Sequence, residues 1–307
     1  MINLKNKKIL VTGGTGFVGK HLIDNLINVR GVNEKLISTP TSKDFDLNLY
    51  SNAQKVVKGC DIVFNLVGDV GGSGYSRTHP ATQFYKTLVP GLQVLEAAKE
   101  AKVEKIVMVG STCAYPENAP QPLHEADLYG GLPNPSLDGY GMAKRTLAFA
   151  AEIYRREFGL NVVVVLPNNA YGPGDDFDLE SGHVIPSLIR RALTEQALTI
   201  WGDGTPTRDF LYVKDFVEGV ILAGEKLETS APVNLGSGKS ISIKDLVSQI
   251  VALTNFKGKV VFEADKPQGM IKRSVDIARA DKLLGFKPSW TLRNGLKETI
   301  DWYKSNL

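Results

Sequence analysis

Tyr140 and Lys144 stand four residues apart, which places a phenol and an ammonium on one face of a helix. A cation beside a phenol favours the phenolate and draws the tyrosine pKa down toward working pH. Ser111 closes an apolar run 29 residues earlier, where its hydroxyl can hydrogen-bond a carbonyl. Together the three groups can pass a proton to or from an oxygen while hydride moves at the adjacent carbon. Cys113 follows Ser111 by two positions, and a strand-end residue and its i+2 neighbour face the same side. Its thiol is a further acid/base candidate, although an isolated cysteine is ordinarily a small buried hydrophobe. His183, in Ser-Gly-His-Val-Ile-Pro, carries an imidazole suited to proton transfer near neutral pH, although alone it reads as a capping or packing residue. Two extra acid/base groups beside a Ser/Tyr/Lys set are what proton exchange on carbons next to a ketone requires.

Tyr-x-x-x-Lys by itself is a weak signal. Its weight comes from Gly13, Gly16 and Gly19, spaced G-x-x-G-x-x-G within Thr12–Gly19. Gly13 permits a tight turn, Gly16 lets the backbone approach a pyrophosphate, and Gly19 lets the helix pack closely on the strand. The helix that opens at Phe17 supplies free N–H groups and a partial positive charge for the phosphates. Thr15, Phe17 and Val18 complete the expected contact. After the second strand, NAD generally needs a carboxylate for the ribose hydroxyls. The stretch Ser38–Lys43 has none, and Thr39 and Lys43 suit a 2′-phosphate, so NADP is expected over NAD. Asp46 is a candidate acceptor for the adenine amino group.

These groups need strand ends and helix starts to hold them. Strand-like runs at 7–12, 35–38, 61–68, 105–111 and 161–167 alternate with helix-like segments at 17–29, 51–58, 84–101 and 140–158. That alternation predicts an α/β fold of the Rossmann type, a doubly wound parallel sheet with helices on both faces. Beyond Pro167 the pattern is irregular: helices at 183–195, 215–227, 242 onward and 291–307, and short strands at 198–201 and 210–213. The expected division is a Rossmann domain over 1–172, with 205–235 returning to it, and a smaller α/β substrate lobe from 173–204 and 236–307. The 307 residues are 43% hydrophobic and 22% charged, as in an ordinary globular protein. The net charge of +3 gives no case for nucleic acid or an anionic membrane, and no apolar run approaches a membrane span. Cys60 and Cys113 are too few for a disulfide framework or a metal cage, so a reducing cytoplasm and no metal are expected.

With these motifs in place, the chain resembles the extended short-chain dehydrogenase/reductase family over essentially its whole length. The resemblance rests on Thr12–Gly19, Ser111, Tyr140 and Lys144, Pro167–Pro173 and Arg208–Asp215. It implies a Rossmann domain holding the cofactor and a lobe holding a nucleotide sugar. It also implies that Leu66, Val109, Pro167, Asn169, Ala170 and His183 line the cofactor beside Tyr140 and Lys144. Asn169, Val184, Arg191, Trp201, Arg208 and Arg273 would then meet the substrate, with arginines suited to a pyrophosphate. Within the family, the chain is most similar to the GDP-L-fucose synthase branch of 3,5-epimerase/4-reductases. The similarity lies at 70–72, 111–116, 171–177, 183–186, 201–204 and 266–269 with Arg273. By that resemblance Cys113 and His183 are base and acid at C3 and C5, and Ser111, Tyr140 and Lys144 serve reduction at C4 by NADPH. A homodimer through the helices at 84–101 and 140–158 is implied as well. Thr87 departs from the family, which carries asparagine there, and so does the loop Gly74–His79. Asp69–Tyr75 and Trp201–Gly204 also resemble GDP-mannose 3,5-epimerases, which leaves open an epimerase without net reduction that keeps a bound NAD.

Overall fold

The computed structural model describes residues 1–179, 181–266 and 270–307. The first half alternates strands and helices in chain order: β1 (Ile9–Thr12), α1 (Phe17–Asn28), β2 (Ile37–Ser38), α2 (Tyr50–Val57), β3 (Ile62–Asn65), α3 (Ser73–Thr78), α4 (Pro80–Glu100), β4 (Lys105–Val109), α5 (Asp138–Phe158) and β5 (Val162–Pro167). β1 and β3 are buried throughout, and β4 and β5 nearly so, which is why they read as unbroken apolar runs rather than alternating ones. The second half runs β6 (Ala170–Tyr171), α6 (Val184–Thr194), β7 (Ala197–Trp201), β8 (Thr207–Asp209), β9 (Leu211–Tyr212), α7 (Val213–Lys226), β10 (Val233–Leu235), β11 (Ser240–Ser242), α8 (Ile243–Thr254), β12 (Lys259–Glu263), β13 (Lys272–Arg273), α9 (Ala278–Leu284) and α10 (Leu292–Ser305).

The main sheet has the order β10-β5-β4-β3-β1-β2, and all of its pairings are parallel. Each crossover therefore needs a helix, and the helices cover both faces. One core gathers α1, α7 and the lobe helices against one face; the other gathers α2, α4 and α5 against the opposite face. The order in which strands are added reverses between β1 and β3, and a doubly wound sheet opens its ligand crevice at the carboxyl ends of such strands. Thr12 and Asn65 end these two strands and are bonded to each other, Oγ1 to Oδ1, at 2.6 Å.

α7 packs on β4 and β5, and β10 extends the sheet beyond β5. β8 instead belongs to a small sheet with β11 and β13. The second strand is shorter than its apolar pattern suggests, because Glu34–Leu36 forms a 3-10 turn capped by Asn33. α4 begins at Pro80 rather than near 84, with proline at the first position where no N–H is needed. Ser242 caps α8: its hydroxyl oxygen accepts the Asp245 N–H at 3.0 Å and its O–H donates to the Asp245 carboxylate at 2.7 Å. Gly159 ends α5 at φ +66°, in the left-handed conformation that glycine adopts without strain.

Candidate active site

The glycine loop is shaped by what its residues lack. Gly13 sits at φ +70°, a conformation glycine adopts without strain. A side chain at Gly19 would overlap the Gly13 carbonyl oxygen and come within 2.6 Å of Gly14 Cα. Gly16 caps α1 with no side-chain hydrogen bond, so the first N–H groups of the helix face outward. Thr15 and Gly16 are exposed above that end, and Phe17 and Val18 are half-buried. This cradle fits a dinucleotide pyrophosphate. Leu66 lies against Gly13, and Thr39 lies against Gly14, so the end of β2 reaches the loop. Lys43 is exposed. Asp46 is partly committed elsewhere: Oδ1 accepts from the Asn48 backbone N–H at 3.0 Å and from its side-chain amide at 2.7 Å.

The catalytic candidates assemble where β4 meets α5. Lys144 is 3% exposed. Its Nζ donates to the Val109 carbonyl at 2.8 Å and the Val67 carbonyl at 2.9 Å. Without a carboxylate partner, burial lowers its pKa to about 8. The sequence expectation that this cation draws Tyr140 down is overturned: burial and nearby Cys113 hold the phenol above its ordinary value, and the Ser111 hydroxyl only partly offsets them. The reason is geometric, since the ammonium is engaged by the backbone and stands 5.7 Å from the Tyr140 ring centre. Ser111 and Cys113 are brought together by a different device from the one expected. β4 ends at Val109, and Thr112–Ala114 is a 3-10 turn whose cap is Ser111. The Ser111 Oγ accepts the Cys113 N–H at 3.1 Å. Arg145 pins the turn from below, donating to the Ala114 carbonyl at 2.6 Å and to the Gly131 carbonyl.

His183 caps α6. Its Nδ1 lies 3.3 Å from Asp175 Oδ1, and that contact raises its pKa. The segment before α3 links this region to the catalytic helix. Gly68 lies against Lys144 and Tyr140, and Gly72 N–H donates to the Ser181 carbonyl at 2.6 Å. Thr87 occupies its departure from the family pattern with a clear task, accepting the Asp69 N–H at 3.1 Å. Pro167 ends β5, and Asn169 donates to the Asp209 carbonyl at 2.9 Å. Ala170 pairs with Leu211, while Val184 begins α6 and is partly exposed.

Arg208 and Arg273 face each other across β8 and β13. Burial and the neighbouring Arg273 lower the Arg208 pKa to about 10. Arg273 Nε is buried without a partner. Cys113 and Arg273 line one pocket together with Tyr115, Asn134 and Leu137. Arg191 is tied elsewhere, to Glu195 at 3.1 Å and the Thr199 carbonyl at 2.8 Å. Trp201 is exposed at the end of β7. Pro267–Gly269 of the 266–269 motif lies outside the described residues. Sequence reasoning missed Val67, Arg145 and Asp175. The first two act through carbonyl bonds that no motif announces, while Asp175 carried a signal, since it lies in the 171–177 stretch beside a lone histidine.

The family model described as "NAD dependent epimerase/dehydratase family" matches residues 9–236. This chain belongs to that family. Among curated members of this epimerase/dehydratase family, a GDP-L-fucose synthase of Sinorhizobium fredii is 32% identical over 100% of the chain and 98% of its own length. The GDP-L-fucose synthase of Escherichia coli is also 32% identical, over 99% and 98%. A GDP-6-OMe-4-keto-L-xylo-heptose reductase of C. jejuni superimposes with a TM-score of 0.92 at 25% identity, covering 99% of each chain. A GDP-L-fucose synthetase of Naegleria fowleri bound to NADP does so at 0.86 and 25%, covering 98% of this chain and 95% of its own.

Proposed function

We propose that this epimerase/dehydratase-family chain is an NADP-dependent 3,5-epimerase/4-reductase acting on a GDP-linked 4-keto-6-deoxy sugar, GDP-4-keto-6-deoxy-mannose foremost. The observation that carries the reading is the Ser111–Cys113–Tyr140 cluster, in which burial and Cys113 keep the phenol protonated. A protonated phenol is the form that donates to a carbonyl oxygen becoming an alcohol. The full-length likeness to GDP-L-fucose synthases and the NADP-bound neighbours support the substrate and the cofactor.

The protons on C3 and C5 are acidified by the C4 ketone between them. Cys113 removes one, and the electron pair passes into an enolate whose oxygen takes hydrogen bonds from Ser111 and Tyr140. His183 returns a proton from the opposite face. A bound NADPH would supply the hydride that reduces C4 once both centres are inverted. Tyr140 gives its proton to O4. Lys144 holds the Val67 and Val109 carbonyls together beneath the site and would donate its remaining N–H to a ribose hydroxyl oxygen. Thr15, Gly16, Phe17 and Val18 would hold the pyrophosphate of the cofactor, and Thr39 and Lys43 would meet its 2′-phosphate. Arg208 and Arg273 clamp the pyrophosphate of the sugar nucleotide, which lies in the lobe of 173–204 and 236–307. Trp201 is placed to stack on the base. The copies pair through α4 and α5, whose outer faces expose Tyr85 and Phe149. The two free cysteines suit a reducing cytoplasm.

A panel of GDP-, UDP-, CDP- and dTDP-linked 4-keto sugars, offered with NADPH and with NADH, tests this. The GDP sugar with NADPH should turn over fastest. Fastest turnover with another base, or epimerisation by tightly bound NAD alone, would replace it with the epimerase reading.

A further inference from the structure

Asp175 is buried for a reason the cofactor and the nucleotide do not explain. Its side chain is 3% exposed, whereas that of His183 is 40% exposed. Asp175 Oδ1 accepts the Asp176 N–H at 2.8 Å and lies 3.3 Å from His183 Nδ1. Its Oδ2 is buried with no hydrogen-bond partner. A carboxylate kept out of water with one oxygen bare is costly, and such arrangements concentrate at functional sites. His183 meanwhile caps α6, where the positive end of the helix disfavours an imidazolium. Something must offset that end if the ring is to carry a transferable proton.

We propose that Asp175 is a positioning residue that accepts a hydrogen bond from His183 Nδ1 and thereby presents Nε2–H to the reacting sugar carbon. The role rests on the proposed epimerisation and deepens it. As the enolate is protonated, the Nε2–H bond breaks, its electron pair stays on nitrogen, and the proton forms the new C–H bond. The ring ends neutral with Nδ1–H still held by Asp175. The contact raises the His183 pKa, which favours the protonated ring.

The loop that carries the pair is held on three sides. His21 of α1 bonds the Pro173 carbonyl at 2.7 Å. Arg190 of α6 donates to the Phe177 carbonyl at 3.0 Å. Gly72 closes the third side on Ser181, and the same segment carries Asp69, bonded to Tyr75. Asp176 adds a weaker negative field, but its Oδ2 accepts from Ser181 at 2.6 Å, leaving Asp175 in direct contact with the ring.

The test is a histidine NMR titration of the full chain, with the His183 signal assigned by its loss in His183→Gln. In Asp175→Asn, His183 should titrate at a pH at least one unit lower than in the wild type. The alkaline limb of C3/C5 deuterium exchange should move down with it, exchange at pH 8 should fall at least tenfold, and NADPH binding by fluorescence should stay within twofold. Asp175→Glu, which keeps the charge, should recover part of the exchange. An unchanged His183 titration, or exchange lost equally at every pH, would overturn the assignment. A wild type that shows the titration shift but exchanges no 4-keto sugar would refute the reaction while supporting the pairing.

Discussion

The Lys144 ammonium sits over the Tyr140 ring at 5.7 Å from its centre, but its hydrogen bonds go to the backbone, with the Val109 carbonyl at 2.8 Å. The cation therefore does not make Tyr140 a phenolate in the free protein. It braces the ends of β3 and β4 at the crevice, and burial leaves the tyrosine with its proton. A phenol that must donate during reduction gains from that state.

Lys144→Met should show what the buried ammonium costs. Its pKa falls from 10.5 to about 8, equivalent to about 3 kcal/mol of destabilisation. Below pH 8 both folded and unfolded chains carry the proton, and the cost is present in full. As pH rises from 8 toward 10.5, the folded chain releases its proton first and the cost is relieved. Denaturant unfolding at pH 7 and pH 10 should therefore show the wild type gaining stability relative to the variant. A pH-independent difference between the two would contradict the burial.

Cys113→Ser and Tyr140→Phe should separate the two halves of the reaction. The first should cut deuterium exchange at C3 and C5 by about 10²-fold or more while leaving residual hydride transfer. The second should cut NADPH oxidation by a similar factor and leave exchange measurable. If both variants lose only thermal stability, with activity per folded molecule intact, neither residue does chemistry.

Arg208→Leu should raise KM for the nucleotide sugar at least tenfold without changing NADPH affinity. Arg208 and Arg273 are neighbours, and burial, with Arg273 adding to it, lowers the Arg208 pKa to about 10. Relief of that repulsion should also hold or raise Tm. Calorimetric titration with GDP alone measures the loss directly; unchanged GDP affinity would remove Arg208 from the site.

Gly19→Ala should abolish NADPH binding, because its methyl group would drive into the Gly13 carbonyl and the Gly14 backbone. Thr39→Asp should instead move preference toward NADH, since a carboxylate beside Gly14 repels a 2′-phosphate and accepts ribose hydroxyls. Fluorescence titration with both cofactors distinguishes the effects. Equal NADPH affinity in Thr39→Asp would place the 2′-phosphate elsewhere.

The parallel sheet was legible because buried strands such as Val162–Pro167 leave continuous apolar runs, and the glycine loop because steric exclusion at Gly19 permits one residue type. The lobe was less so. β11, β12 and β13 are short or half-exposed strands whose partners lie far off in sequence, so no period marks them. The 3-10 turn at Thr112–Ala114 likewise left no periodic trace, and strand alternation put Ser111 and Cys113 side by side for the wrong reason. The tyrosine pKa was misread because spacing reports that two groups share a helix face, not which carbonyls will take the ammonium.

The most direct measurement is the reaction of the purified chain with GDP-4-keto-6-deoxy-mannose in D2O, following NADPH absorbance and product deuterium together. One NADPH should be consumed per product, and the product should carry solvent deuterium at both C3 and C5 with hydride from the cofactor at C4. Product formed without loss of NADPH, or reduced product lacking solvent deuterium at those carbons, would contradict a combined epimerase and reductase.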